Sequence, residues 1–283
     1  KNGFPMKKRY KSRNRRRITR LLLSLAALAF VALRPLAGCH ADDGTVAPPS
    51  TTGDLTAVII PDTLRAQIVE YAGMTVSFNP SRHIPNWVAW ELTAEETLGT
   101  VPRAKGFTAD LSVAGCPEPW EYSYSGYDRG HIAPAGDMKW SREAMEQSFY
   151  MTNVCPQVKS FNSGVWARLE EKCRTWAQAD SAIIIVAGPV MTDPVIETIG
   201  DSHIAVPQRF FKVILSPYAD PPRAIGFLMN NGAVPGGMQA AAVSVDAVEE
   251  ATGYDFFSAL PDSVEKEVES QCRFHYWSTL KPR

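Results

Sequence analysis

The sequence predicts an α+β fold, with a mixed, mainly antiparallel sheet core flanked by helices. Strand-like and helix-like stretches follow one another without the regular strand–helix alternation that builds a parallel sheet. Several apolar runs are short, rich in β-branched residues and bounded by Gly or Pro, which is typical of buried strands. With 283 residues and 45% hydrophobic side chains, the chain is long and apolar enough to form an ordinary core.

The first part of the chain has the pattern of an export signal. The basic stretch "KKRYKSRNRRRITR" precedes "LLLSLAALAFVAL", an apolar run that is short for a bilayer span. "LAGC" then resembles the lipobox of bacterial lipoproteins. We therefore expect a lipoprotein-type signal peptide over 1–38, a lipid on Cys39 and an exported protein, periplasmic or at the cell surface and anchored to a bacterial membrane. A simple secretory signal and an uncleaved anchor are the alternatives.

Charge divides the chain into two regions. Eleven of the 29 Lys and Arg residues lie in 1–38, where no acidic residue occurs, so the other 18 face 30 acidic residues. Residues 39–55 are polar and rich in Pro, Gly and Thr, which predicts a flexible tether before one domain at 56–283. The acidic domain cannot attract nucleic acid through its overall charge, but a local basic cleft stays open.

Five stretches predict strands, and a stretch near the C-terminus predicts a helix. The strands are "MTVSFNP", "NWVAWELT", "SAIIIVAGPV", "RFFKVIL" and "RAIGFLMN". The first two should be neighbours, and the last two should form a hairpin around "SPYADPP". "SVDAVEEATG" predicts a helix with Ser244 as N-cap and Gly253 at its end.

Export also changes how the cysteines are interpreted. With Cys39 lipidated, an even number remains, which favours two disulfides in an oxidising compartment and leaves three connectivities open. None of these residues has the CxxC spacing of a structural zinc site. The four are Cys116, Cys155, Cys173 and Cys272.

"YDRGHIAPAGDM" (127–138) is the first stretch that carries chemistry. Arg129 and His131 are two apart on a predicted strand and so share one face. Gly130 between them would let the backbone of a substrate come close. Asp128 should point the other way and be structural.

The second stretch is "FNSGVWARLEEKCRTW" (161–176), which predicts a helix with Asn162 or Ser163 as N-cap. Trp166, Glu170 and Arg174 recur at i, i+4 and i+8 and share one face, which on composition alone would be an ordinary solvated face. Asn153, Gln157 and Asn162 add amide oxygens nearby. Amide and carboxylate oxygens suit Mg²⁺ rather than zinc.

Together these side chains supply a base, guanidinium groups and ligands for a hard cation, which phosphodiester cleavage requires. A neutral imidazole can take a proton from water near physiological pH. The cation and the arginines offset charge on the transition state and on the departing oxygen.

The wording of these stretches is more specific than their composition. "DRGHIAPAGDM", "YMTNVCPQ" and "FNSGVWARLE" strongly resemble the DNA/RNA non-specific endonuclease family, which belongs to the ββα-metal (His-Me finger) nucleases and is related to mitochondrial endonuclease G. The similarity continues through "VPRAKGF", "VAGPV", "HIAVPQRFFKVIL" and "SVDAVEEATGYDFFSALPD". The resemblance implies a ββα-metal finger that runs from the strand with His131 to the helix at Asn162.

The resemblance also implies a role for each matching residue. His131 would be the general base, and Asn162 would be the one direct protein ligand of the metal. Glu170 would hold metal-bound waters. Arg129 and Arg103 would contact the scissile phosphate.

Two supporting roles complete the implied site. Asn153 would help to fix His131 or the metal waters, and Arg174 would support the phosphate on the product side. The implied cofactor is Mg²⁺, with Mn²⁺ as a substitute. The implied substrates are DNA and RNA, cut with little sequence preference to leave 5′-phosphate ends.

Two other functions compete with this interpretation. One is a phosphodiesterase or phosphatase for another substrate, and the other is a catalytically silent surface lipoprotein that binds nucleic acid. A silent protein should have lost His131, Asn162 or Glu170, and all three are present. No G-x-S-x-G or Walker A motif supports a serine hydrolase or a P-loop NTPase. The sequence does not fix the oligomeric state and is compatible with a homodimer.

Overall fold

A computed structural model of the chain describes residues 53–282. The predicted signal peptide at 1–38, the predicted lipid attachment at Cys39 and nearly all of the predicted tether at 39–55 lie outside the described residues. Among the helices of residues 53–282, none combines the length and the apolar character needed to cross a bilayer.

A seven-stranded sheet forms the centre of the fold, and every pair of neighbouring strands in it is antiparallel. Its strands, in spatial order, are β12 (Ala242–Val243), β11 (Arg223–Asn230), β10 (Arg209–Ser216), β7 (Ala182–Val190), β4 (Ile84–Thr93), β3 (Thr75–Asn79) and β2 (Gln67–Glu70). Three two-stranded ribbons surround the sheet. They pair β1 (Val58–Ile59) with β13 (Asp255–Phe256), β5 (Asp128–His131) with β6 (Val154–Gln157), and β8 (Thr198–Ile199) with β9 (Ile204–Ala205).

The strands confirm the hairpins predicted from the sequence. β3 and β4 are joined by a tight turn, in which the Asn79 side chain accepts hydrogen bonds from the backbone N–H groups of Ser81 and Arg82. β10 and β11 pair over their whole length, from Arg209 opposite Asn230 to Ser216 opposite Arg223. β7 is buried along all nine residues, as its apolar sequence predicts.

Within residues 53–282, seven α-helical segments cover the sheet and fill its connections. They are α1 (Arg142–Ser148), α2 (Lys159–Phe161), α3 (Ala167–Asp180), α4 (Gly237–Ala241), α5 (Val245–Thr252), α6 (Asp262–Glu269) and α7 (Phe274–Thr279). The predicted ends of α5 are confirmed. The Ser244 hydroxyl accepts a hydrogen bond from Ala247 N at 3.2 Å, and Gly253 ends the helix in the left-handed conformation.

The core lies on both faces of the sheet, and β10 shows why. Phe210 and Ile214 pack on the face that carries Trp166 and α3. Phe211, Val213 and Leu215 pack on the other face, with α5 and α6. Alternate residues of one strand therefore enter two separate apolar layers, so the strand is apolar along nearly all its length.

A ββα unit projects the chemistry-bearing residues from one edge of this core. β5 and β6 form its ribbon, with His131 opposite Val154. The helical part runs from α2 to α3 through a π-helical turn, Asn162–Trp166, which is kinked at Gly164. The prediction of Asn162 or Ser163 as N-cap is wrong, because the helix begins three residues earlier, after the extended Val158.

The predicted disulfides are not formed in the described part of the chain. All four cysteines there are free thiols. Cys155 and Cys173 are buried in the apolar core, where they pack as small hydrophobic side chains, and burial raises the pKa of the Cys173 thiol to about 12. Cys272 is exposed, and Cys116 is half-buried.

Candidate active site

An open cleft of about 540 Å³ lies between the finger and the loop that precedes it. Six of the seven residues predicted from the sequence line this cleft. They are Arg103, Arg129, His131, Asn162, Glu170 and Arg174. The ribbon, the π turn and α3 thus bring together side chains that are up to 71 positions apart in the chain.

His131 occupies the end of β5 and is almost completely enclosed. Its ring lies between those of Phe107 and Phe149, with centroid distances of 4.9 Å and 4.7 Å. Its Nε2 atom is buried and has no hydrogen-bond partner among residues 53–282. Burial, and then the positive charge of Arg103, lower the pKa of His131 to about 3. The imidazole is therefore neutral at physiological pH, which is the form that can accept a proton.

The strand that carries His131 is fixed from two sides. Trp166, at the end of the π turn, donates from Nε1 to the carbonyl oxygen of His131 at 3.3 Å. Asn153 is fully buried, and its amide exchanges hydrogen bonds with both the N–H and the carbonyl of Ala133, each at 2.9 Å. Asn153 does not line the cleft. Asn153 therefore holds the backbone that follows His131 and makes no hydrogen bond to the imidazole ring. The family resemblance had implied that Asn153 helps to fix His131 or the metal waters.

Asn162 reaches the cleft from the π turn, where its Nδ2 donates to Asp128 Oδ2 at 3.0 Å. This bond orients the amide and leaves its oxygen available as a ligand. The prediction that Asp128 points away from the site is wrong, because Asp128 also lines the cleft. The helical segment that starts at Lys159 runs beside β5. Asp128, the first residue of this short strand, therefore contacts Asn162 instead of entering the core.

The need for a glycine at position 130 has a different cause from the one predicted from the sequence. A Cβ atom at this position would overlap the side chain of Gln157, which lies on the partner strand and is fully buried. The missing side chain therefore makes room for a residue of the protein itself rather than for a substrate.

The two arginines nearest to His131 are held by aromatic rings and by one carbonyl. Arg129 donates from Nε and Nη2 to the carbonyl oxygen of Pro119, at 2.8 Å and 2.6 Å. The guanidinium carbon of Arg103 lies 4.8 Å from the ring centroid of Phe149. Both guanidinium groups keep further N–H donors for an anion in the cleft.

Arg174 belongs to a buried group of charges under the cleft. Its Nη1 donates to Asp137 Oδ1 at 2.8 Å, and Trp90 Nε1 donates to Asp137 Oδ2 at 3.2 Å. Burial raises the pKa of Asp137, although the adjacent Arg174 and Lys212 offset part of this effect. Burial likewise raises the pKa of Glu170 to about 7, against the opposing charge of Lys212. Glu170 therefore changes its protonation near neutral pH.

Lys212 is the least expected member of this group. It lies in the middle of β10 and is fully buried, and its Nζ has no hydrogen-bond partner in the described part of the chain. The ammonium lies 4.4 Å from the ring centroid of Trp166 and 4.9 Å from that of Trp90, in a cation–π arrangement. Sequence reasoning missed its role, but a single charge inside the apolar run "RFFKVIL" was the available signal.

The donors in the cleft fit a hard divalent cation. They include the amide oxygen of Asn162 and the carboxylates of Asp128, Glu170 and Glu171. Among the described residues that line the cleft, His131 is the one histidine, and no cysteine occurs. Oxygen donors of this kind suit Mg²⁺ or Mn²⁺ and do not suit zinc.

Comparison with known proteins agrees with this geometry. The family model of the DNA/RNA non-specific endonucleases matches residues 51–263. The mitochondrial nuclease EXOG of Danio rerio is 34% identical over 210 residues, which cover 67% of this chain and 60% of that protein. The mitochondrial nuclease of Saccharomyces cerevisiae is 34% identical over 217 residues, covering 68% of this chain and 65% of that protein. The chain thus spans less than two thirds of the length of these two relatives.

A bacterial relative and a solved structure give the same result. The nuclease of Nostoc sp. is 33% identical over 213 residues, covering 69% of this chain and 75% of that protein. The crystal structure of the EndoG/EndoGI complex contains a chain that matches with a TM-score of 0.64 and 28% identity, covering 70% of this chain and 88% of that one. The fold is therefore that of a ββα-metal nuclease, and the chain belongs to the DNA/RNA non-specific endonuclease family.

Proposed function

We propose that the protein is a metal-dependent endonuclease that hydrolyses phosphodiester bonds in DNA and RNA without sequence specificity and leaves 5′-phosphate ends. The observation that carries this proposal is the enclosed, neutral imidazole of His131, in a cleft that also presents Asn162 and three arginines. Guanidinium groups bind phosphate, and phosphate contacts carry no sequence information. A cleft dominated by such groups therefore suits a nuclease that does not select its sequence.

In the proposed reaction, His131 takes a proton from the attacking water. The water oxygen forms a bond to phosphorus while the bond from phosphorus to the 3′ oxygen breaks. The 3′ oxygen leaves as a hydroxyl after protonation by solvent, and the phosphate stays on the 5′ end. A bound phosphate also offsets the charge of Arg103, so the basicity of His131 should rise when the substrate enters.

The arginines and Asn162 manage the charge that develops at phosphorus. Arg129 and Arg103 are already oriented by Pro119 O and by the Phe149 ring, so they can bind phosphate without reorganising. A divalent cation would be held by the Asn162 amide oxygen, with Glu170 beside it, and would stabilise negative charge on the phosphate oxygens. Asp128 would keep Asn162 in its ligating orientation.

The test is digestion of supercoiled plasmid and of total RNA by the purified full-length chain, with Mg²⁺ and with EDTA. Both substrates should be cut, EDTA should stop cleavage, and the products should carry 5′ phosphates that DNA ligase can join. His131→Ala should lose several orders of magnitude in rate, because it removes the base. Folded protein that binds DNA but cuts neither substrate would identify the silent binding protein instead.

We also propose that the chain is exported and anchored through a lipid on Cys39. Support comes from the basic and apolar segments before residue 34 and from "LAGC". In a bacterial host, labelled fatty acid should be incorporated into the wild type and not into Cys39→Ser. Incorporation into neither protein, with the nuclease in the cytoplasmic fraction, would reject both export and anchoring.

A further inference from the structure

A second group of acidic side chains lies on the face of the sheet away from α3. Asp246 and Glu249 are three residues apart on α5, so they share one side of that helix. Glu269 is the last residue of α6. One carboxylate oxygen from each of the three lies within 4.8 Å of the other two. We call Asp246, Glu249 and Glu269 the carboxylate cluster.

The side chain of Glu269 has no hydrogen-bond or ion-pair partner among the described residues. The residue is only 6% exposed, and its Oε1 atom is buried. Burial, and then the neighbouring Glu249, raise its pKa to about 9. None of the ion pairs in the described part of the chain involves the carboxylate cluster. Burying an unpaired carboxylate is unfavourable, so this position calls for a proton or a cation.

The surroundings favour a cation. Asp255 and Glu265 add two further negative charges to the field at Glu269. Glu269 also stands at the C-terminus of α6, where free carbonyl groups and the negative end of the helix dipole attract positive charge. Glu249 is already oriented, because its Oε1 accepts a hydrogen bond from the backbone N–H of Phe256 at 2.9 Å.

We propose that the carboxylate cluster binds Ca²⁺ and ties α6 to α5. Calcium takes six to eight oxygen ligands at about 2.3–2.6 Å, so two of its ligands can be about 5 Å apart, which accommodates the spacing of the cluster. Magnesium requires about 2.1 Å and near-octahedral geometry, and zinc prefers nitrogen and sulfur, which the cluster does not offer. The site is separate from the cleft and independent of the nuclease proposal.

Calorimetric titration and thermal unfolding of the full-length chain test this site. At 10 mM CaCl₂ the wild type should gain about 3–6 °C in Tm, and Glu269→Gln should gain nothing. Without calcium at pH 7, Glu269→Gln should melt close to the wild-type temperature, because the pKa of about 9 keeps the Glu269 carboxyl group protonated and neutral. Asn162→Ala, which lacks the candidate catalytic ligand, should keep the full calcium response.

A second variant covers the case in which Glu269→Gln does not fold. Asp246 is exposed, so Asp246→Asn should fold normally and should weaken calcium binding by about tenfold. A wild type without a calcium-dependent shift, or an equal shift in the wild type and in both cluster variants, would overturn the proposal. An equal shift with 10 mM MgCl₂ would overturn the assignment to calcium.

Discussion

The neutral state of His131 makes the stability of the protein depend on pH in a way that can be measured without any substrate. In the unfolded chain a histidine takes up a proton with a pKa of about 6.5, whereas in the folded cleft the pKa of His131 is about 3. Between these two values the unfolded chain binds one proton more than the folded chain does. Lowering the pH through this window therefore favours unfolding.

The size of the effect follows from the two pKa values. Between pH 7 and pH 4 the unfolded histidine becomes fully charged, while His131 in the fold stays almost entirely neutral. At about 1.4 kcal/mol for each pH unit between 6.5 and 4, folding loses about 3 kcal/mol through this residue alone. His131→Gln replaces the ring by a neutral side chain and should remove this loss.

Urea denaturation at pH 7, 5.5 and 4, without divalent metal, measures the difference. Other groups also titrate in this range. The raised pKa of Glu170 acts in the opposite direction, because the folded chain then binds the extra proton as the pH falls from about 7. These contributions are common to the wild type and His131→Gln. The difference between their unfolding free energies should therefore change by about 3 kcal/mol between pH 7 and pH 4.

His275→Gln, a substitution at an exposed histidine, is the matched control and should follow the wild type. If the wild type and His131→Gln lose stability in parallel between pH 7 and pH 4, the imidazole is not held neutral by burial. The proposed role of a neutral His131 as base would then lose its main support.

Three further variants test the cleft and the charges under it. Glu170→Gln should lower kcat/KM by about 100-fold at pH 8. In the wild type, kcat/KM should decline as the pH falls through about 7, because the Glu170 carboxylate is then protonated, and Glu170→Gln should remove this decline. Asp128→Ala removes the acceptor that orients Asn162, and should raise the Mg²⁺ concentration for half-maximal plasmid cleavage by about 10-fold. Lys212→Met removes a charge that lowers the pKa of Glu170, so the acid limb of the kcat/KM profile should move up by about one pH unit while activity at pH 9 is kept.

The Asp128 and Lys212 variants each have a matched control within the chain. Asp128→Asn keeps an oxygen that can accept from Asn162 and should need less Mg²⁺ than Asp128→Ala. Lys172→Met, at an exposed lysine of α3, should leave the pH profile in place. An acid limb that is the same in the wild type, Glu170→Gln and Lys212→Met would show that another group sets it, and equal Mg²⁺ requirements in both Asp128 variants would contradict the orienting role.

The sheet could be predicted because its signals are local. β7 is an apolar β-branched run ended by Gly-Pro, and the ends of α5 follow from the capping chemistry of Ser244 and Gly253. The residues that meet in the cleft were predicted for another reason, namely the close match of their motifs to those of a family. The bulk charge of the domain gave no support to that prediction.

The predictions that were wrong concern distances in space, which the order of residues along the chain does not give. The alternation of side chains along a strand predicted that Asp128 points away from the site. This rule takes no account of the helical segment beside the strand, where Asn162 donates a hydrogen bond to Asp128. An even number of cysteines does not state whether any two are adjacent in space. In the sequence, Lys212 is a single charge that interrupts an apolar strand. Its environment comes from two tryptophans on other elements, and the sequence does not show that they lie next to it.

The π turn between α2 and α3 has a consequence for the angular arrangement of the site. Asn162 and Glu170 are eight residues apart, which in a regular α-helix would rotate one from the other by about 80°. A π turn takes up about one extra residue, which reduces this offset to about 20° or less and turns both side chains to the same side. Deleting Val165 should therefore convert the segment into a regular helix, in which seven residues turn through about 700° and Asn162 and Glu170 stay on the same side. The spacing of the motif is correct only for a helix that contains this irregularity.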